Sequence, residues 1–156
     1  MATLMNLVAG ETRDILLALA VDDVVGLDDP ERFTSHLAFG GGLDPTWLDL
    51  FSEAVRSVTG DDEPEDFLGA RRELDGTADA GERTVERVDH AWVRAVARVA
   101  DHEVGAVAGR WIDLLEEEMG ELAREEKPWI RDLTARIVEF ARRAEPASDV
   151  IFAWSM

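Results

Sequence analysis

The sequence of 156 residues predicts a single α+β domain over residues 1–156, mostly helical, with a small sheet that takes one strand from each end of the chain. Short apolar runs near both termini predict the strands, and apolar residues at helical spacing between them predict the helices. Hydrophobic residues make up 46% of the chain, which is enough for a core of its own. An all-α bundle is the alternative fold.

The chain opens with a predicted strand and a predicted helix. Thr3–Val8 is an apolar run that precedes Gly10, and this pattern is typical of a strand that leads into a turn. Glu11–Val21 has apolar residues at helical spacing and acids in its first turn, so it predicts a helix. An unbroken helix over Ala2–Ala20 is the competing interpretation.

The next segment ends in the strongest helix signal of the chain. Asp22–Pro30 predicts a loop or short turn, and Arg32–Phe39 predicts either a short helix or an extended segment. Asp44 is suited to cap a helix, and Pro45 is suited to its first position. This helix is expected to end at Gly60, because glycine tolerates the left-handed conformation that ends helices.

The middle of the chain is less regular. Phe67 and Leu68 predict one helical turn that runs to about Leu74, and Asp75–Gly81 predicts a surface loop. Thr84–Val88 alternates β-branched and charged residues, which predicts a short edge strand.

The second half of the chain predicts three helices and a final strand. The helices are expected to begin near Asp89, Asp101 and Pro128, and Val150–Trp154 is the strand that would pair with the first one. Four tryptophans fall on the inward stripes of the predicted helices and are therefore assigned to the core: Trp47, Trp92, Trp111 and Trp129.

The layout resembles the YfbM-like family of small bacterial proteins. The resemblance lies in the opening strand and helix over Met1–Ala20, in the segment Phe33–Gly60, and in the final helix and apolar strand over Trp129–Trp154. It covers about half of the chain. The resemblance implies an α+β fold, and it implies no catalytic residues.

Charge is the most unusual feature of the composition. The chain has 34 acidic and 16 basic residues, a formal net charge of −18. Such a surface would repel polyanions, so nucleic acids and anionic membrane surfaces are excluded as partners. The acidity is explained either by solubility in a salty cytoplasm or by an acidic face that docks on a basic protein partner.

Residues and motifs that the sequence lacks indicate the cellular compartment and limit the possible cofactors. The chain has no cysteine, which excludes disulfides and cysteine-based metal sites. No apolar run is long enough to span a bilayer, and the first ten residues lack a basic stretch, so a cytoplasmic location is expected. No zinc-binding helix motif, P-loop or dinucleotide fingerprint occurs, so we expect no metal, no cofactor and no catalytic residue.

A ligand site is predicted near His36, which lies shortly before the glycine triplet Gly40, Gly41 and Gly42. Binding clefts often include loops of little side-chain bulk. Arg71 and Arg72 are expected to supply an anion clamp.

Three functional hypotheses remain open from the sequence. The first is a cytosolic, non-enzymatic domain that binds another macromolecule. The second is a small enzyme or ligand-binding protein with its site near His36 and the Gly40–Gly42 loop. The third is an immunity-type inhibitor of a basic protein.

Overall fold

The computed structural model describes residues 4–21, 25–39, 43–74 and 84–155. Within these residues the chain forms five α-helices, one short 3-10 helix and five strands. The α+β prediction is confirmed, and the all-α alternative is wrong because the apolar runs at both ends form strands.

The elements have the following bounds. The strands are β1 (Leu4–Gly10), β2 (Ser35–Phe39), β3 (Arg71–Glu73), β4 (Thr84–Val88) and β5 (Asp149–Ser155). The α-helices are α1 (Thr12–Ala20), α2 (Thr46–Thr59), α3 (His90–Ala97), α4 (Asp101–Met119) and α5 (Glu126–Ala144), and the 3-10 helix is Val25–Asp28.

The chain divides into two compact units, each built from separate segments. Unit 1 comprises residues 1–43, 71–90 and 143–156, and unit 2 comprises residues 44–70 and 91–142. Unit 1 contains the sheet and unit 2 contains most of the helical residues. The assignment of one domain to residues 1–156 stays a prediction.

The sheet of unit 1 has the strand order β2-β1-β5-β4-β3, and all neighbouring strands are antiparallel. The predicted pairing of the terminal strands is confirmed, since β1 lies along β5 from Leu4 opposite Ser155 to Gly10 opposite Asp149. In β1, Leu7, Val8 and Ala9 are all buried, so both faces of this strand are covered. Burial on both faces explains why the strand reads as an apolar run and does not alternate.

One face of the sheet is covered by α1 and the 3-10 helix. The buried cluster on this face joins Ile15 and Leu19 of α1 to Val8 and Ile151 of the two central strands. Helical spacing places Ile15 and Leu19 one above the other on one side of α1, which is why this short helix can pack against the sheet.

Two expectations about unit 1 need correction. Arg71–Glu73 is a strand and not part of a helical turn, because these residues pair with Glu86–Val88 of β4. The strand β4 is therefore not an edge strand, since it has β5 on its other side. The second half of Arg32–Phe39 is extended, as one of the two interpretations held. The predicted loop Asp75–Gly81 lies outside the described residues.

Unit 2 begins with the helix that the sequence signals most clearly. An Asp44 carboxylate oxygen accepts hydrogen bonds from the Thr46 backbone N–H and hydroxyl, at 2.9 and 2.8 Å. Gly60 ends α2 in the left-handed conformation, with φ of 76°, and its N–H donates to the Arg56 carbonyl. The predicted end at Gly60 is confirmed. The helix begins one residue later than predicted, with Pro45 at the cap position and the Asp44 carboxylate bonded to the first helical residue, Thr46.

Aromatic side chains form part of the core of unit 2. Phe51 packs against Trp111 with ring centroids 5.1 Å apart, and against Trp92 at 6.2 Å. The indole N–H of Trp92 donates to the Ser52 hydroxyl, and the indole N–H of Trp111 donates to the Trp47 carbonyl. Burying these tryptophans therefore leaves no indole donor without a partner.

Candidate functional site

His36 lies on β2 of unit 1, and both of its ring nitrogens have partners. Nδ1 is 2.5 Å from a carboxylate oxygen of Asp28, and Nε2 is 2.8 Å from the side-chain oxygen of Asn6 on β1. Because a carboxylate only accepts hydrogen bonds, Nδ1 is the donor to Asp28. The His36 side chain is 5% exposed, whereas that of Asp28 is 74% exposed.

This arrangement makes His36 a link between the sheet and the 3-10 helix that ends at Asp28. A ligand that used either ring nitrogen would first have to displace Asn6 or Asp28. The glycine triplet Gly40, Gly41 and Gly42, which was expected to complete a cleft beside His36, lies outside the described residues.

Arg71 and Arg72 are neighbours on β3, but they serve opposite faces of the sheet because strand side chains alternate. The Arg71 guanidinium lies 3.1 Å from a Glu86 carboxylate oxygen and 5.3 Å from the ring centroid of Phe152. Arg71 is therefore held by an ion pair and by an aromatic ring. Arg72 is exposed and lines a pocket at the ends of the strands.

The predicted site residues do not all come together. His36 is on β2 and the two arginines are on β3, and these strands are the opposite edges of the sheet. Four strand spacings of about 4.8 Å separate the two edges by roughly 19 Å. The arginines are therefore placed to act without His36.

A second pocket, here called the acidic pocket, lies in unit 2 where α2 ends. It has a volume of about 350 Å³, and its walls include four carboxylates and one arginine: Asp61, Asp62, Glu63, Glu103 and Arg98. The first three carboxylates are exposed and follow Gly60 directly. The formal charge of this lining is 1 − 4 = −3.

The acidic segment that borders this pocket is anchored at its far end. Arg56 of α2 donates to the Pro64 carbonyl at 2.6 Å and to the Asp66 carboxylate at 2.9 Å. On the other side of the pocket, a Glu103 carboxylate oxygen accepts the Ala100 N–H at 3.0 Å, at the start of α4. The bond to the Pro64 carbonyl holds the backbone of the segment directly after Glu63, and the bond to Ala100 holds the Glu103 side chain.

Sequence reasoning missed six polar residues of the pocket that Arg72 lines, here called the strand-end pocket: Glu73, Arg87, Asp89, His90, Ser148 and Asp149. Arg87 belongs to a predicted strand and Asp149 precedes one, and neither forms a recognisable motif. Only the register of β3 and β4 shows that Arg87 belongs to the pocket, because it places Arg87 directly opposite Arg72. Neither the sequence of β3 nor that of β4 indicates this register.

Among the described residues, no group of three or more His, Asp or Glu side chains is arranged to hold a metal ion. No helix in the described ranges combines the length and the apolar character that crossing a membrane requires. No protein-family model, curated protein or solved structure matches the chain. The resemblance to the YfbM-like family stays a prediction.

Proposed function

We propose that the protein is a cytosolic, non-enzymatic binding protein whose partner is a basic protein, and that the acidic pocket of unit 2 receives an arginine- or lysine-rich segment of that partner. The observation that carries the proposal is the lining of this pocket, which contains four carboxylates and one arginine.

The location of the charge supports a specific surface over a uniformly acidic one. Residues 61–66 contain five acids and one proline, and all five acids are exposed. Acids in such density repel one another, and a cationic partner relieves that repulsion when it binds. Within the described ranges, the ion pair that Arg56 makes with this segment is to Asp66 at its end, and Asp66 does not line the pocket.

The same charges define which partners fit. A nucleic acid would place phosphates against carboxylates, so a polyanion is not the partner. An inhibitor of the immunity type, which neutralises a basic protein, is one member of the proposed class. Its association would be fast at low salt because opposite charges steer the encounter.

A defined basic peptide tests the proposal. Binding of a fluorescent arginine- and lysine-rich peptide is measured by anisotropy for the wild type and for a triple variant with Asp61→Asn, Asp62→Asn and Glu63→Gln. The control triple variant, Glu117→Gln, Glu118→Gln and Glu121→Gln, removes the same charge from exposed residues of unit 2 outside the acidic pocket.

We expect the pocket variant to weaken binding about tenfold and the control variant to weaken it much less. Binding of the wild type should also fall steeply as salt is raised, because screening shortens the range of the attraction. Equal losses in the two variants, or binding that salt leaves unchanged, would contradict the proposal. Absence of binding at low salt would end it.

A further inference from the structure

The strand-end pocket of unit 1 has a chemistry different from that of the acidic pocket. Its volume is about 480 Å³, within the range of small-molecule sites. Its walls include Arg72 of β3, Arg87 of β4, and His90, Ser148 and Asp149. The lining therefore combines two arginines with carboxylates, whereas the acidic pocket has one arginine among four carboxylates.

The register of the sheet brings the two arginines together. Arg72 and Arg87 are directly opposite each other in the antiparallel pair β3–β4, so their side chains leave the same face of the sheet. Opposed side chains start about 5 Å apart, and like charges in that position destabilise a sheet. An anion between the two guanidinium groups would remove this repulsion.

The two guanidinium groups are not equally neutralised. Arg87 lies 3.5 Å from an Asp149 carboxylate oxygen, and Asp149 also accepts the Thr12 hydroxyl at 2.8 Å. Within the described part of the chain, the Arg72 side chain makes no hydrogen bond or ion pair. Arg72 therefore has its donors available for a ligand.

The other polar groups of the pocket are acceptors. His90 donates from Nε2 to the Glu145 carbonyl at 2.6 Å, because a carbonyl oxygen cannot donate, so Nδ1 of a neutral ring is an acceptor. The Ser148 hydroxyl donates its hydrogen to the Gly10 carbonyl at 3.1 Å and keeps its lone pairs. The carboxylates of the pocket are acceptors as well.

The balance of charge selects among anions. The lining contains two arginines and three carboxylates, those of Glu73, Asp89 and Asp149, so its formal charge is 2 − 3 = −1 with His90 counted as neutral. A phosphate dianion would gain from the arginines but would be repelled by the carboxylates. A ligand with one carboxylate and one ammonium group matches both the arginines and the carboxylates of the pocket.

We propose that the strand-end pocket binds a small zwitterionic amino-carboxylate, with its carboxylate between Arg72 and Arg87 and its ammonium group facing the acceptors of the pocket. Guanidinium groups hold carboxylates through paired, charge-assisted hydrogen bonds. Three acceptor types, namely imidazole, hydroxyl and carboxylate, suit the three hydrogens of an ammonium group. The site is independent of the acidic pocket, which lies in unit 2.

The test is an NMR titration of the labelled full chain at constant ionic strength with L-alanine, sodium acetate or sodium phosphate. We expect saturable shifts with L-alanine at the backbone amides of Arg72, Arg87 and His90 and at the side-chain Nε–H groups of the two arginines. Acetate should bind several-fold more weakly because it lacks the ammonium group, and phosphate should bind no better than acetate.

A pair of variants locates the site. Arg72→Gln should weaken L-alanine binding about tenfold. The control is Arg124→Gln, which makes the same change of charge at an exposed position of unit 2 and should leave L-alanine binding unchanged. Wild-type shifts that do not saturate, or that centre on other residues, would overturn the proposal whatever the variants do. Tighter binding of phosphate than of L-alanine, or equal affinity in both variants, would also overturn it.

Discussion

Different kinds of contact stabilise the interior of unit 1 and the interior of unit 2. In unit 1 the two central strands come from opposite ends of the chain, and Leu4 lies opposite Ser155. In unit 2 the core is formed by side chains of amphipathic helices, such as Phe51 against Trp111. Unit 1 therefore depends on distant segments finding one register, whereas unit 2 depends on periodic patterns within each segment.

The pockets of the two units differ for the same reason. Three carboxylates of the acidic pocket lie in one short segment, so their proximity is visible in the sequence. The arginine pair of the strand-end pocket exists only because β3 and β4 align Arg72 with Arg87. A site made by strand register is sensitive to a slip of one residue, because such a slip sends side chains to the opposite face.

The largest effect is expected from removing β5. A chain that ends at Ser148 loses the strand that pairs with both β1 and β4. We expect the sheet not to form, because β1 and β4 would lose their ladder hydrogen bonds on the inner side. Hydrogen exchange of the β1 and β4 amides checks this, and slow exchange of those amides in the truncated chain would show that the strands hold without β5.

A smaller but still large effect is expected in the core of unit 2. Trp111→Ala removes a fully buried ring and should lower the free energy of unfolding by about 3–5 kcal/mol. Trp129, which is half-buried and packs edge-on against Trp47 at 6.4 Å, is the matched control, and Trp129→Ala should cost about 1–2 kcal/mol. Denaturant unfolding measures both, and equal losses would mean that the aromatic core does not centre on Trp111.

The hydrogen bonds of His36 in unit 1 should contribute less to the free energy of unfolding than strand β5 or the buried ring of Trp111 does. His36→Ala leaves the Asn6 side chain without its imidazole partner and should lower the free energy of unfolding by about 1–3 kcal/mol. His102→Ala, at an exposed position of α4, is the control and should change it by about 0.5 kcal/mol or less. If the two variants have the same free energy of unfolding, the hydrogen bonds of His36 to Asn6 and Asp28 do not stabilise the protein.

The smallest effect is expected from salt. Raising sodium chloride from low to moderate concentration should raise the melting temperature by a few degrees, because screening weakens the repulsion among the acids of a chain with net charge −18. Calorimetry in sodium chloride, with sucrose as a neutral comparison, measures the shift. A melting temperature that falls with salt would mean that ion pairs such as Arg71–Glu86 outweigh the repulsion.

Sequence patterns predicted much of the fold, and the site residues stay a prediction. The left-handed Gly60 and the strand near Val150 follow from local chemistry and are found where they were expected, and the start of α2 differs from the prediction by one residue. The short strand Arg71–Glu73 was missed because three residues carry no period. Arg72 was singled out for its charge, but its partner across the sheet was not, since the sequence does not show which strands are neighbours.

By itself, the sequence determined the acidity, the α+β class and the helices, because charge adds up residue by residue and helical periodicity is local. Tertiary structure alone decided that β4 is an inner strand, that both ring nitrogens of His36 are engaged, and that Arg72 faces Arg87. These features depend on the pairing and register of segments far apart in the chain. Register is fixed by the burial of whole strands in the core, and no single segment contains that information.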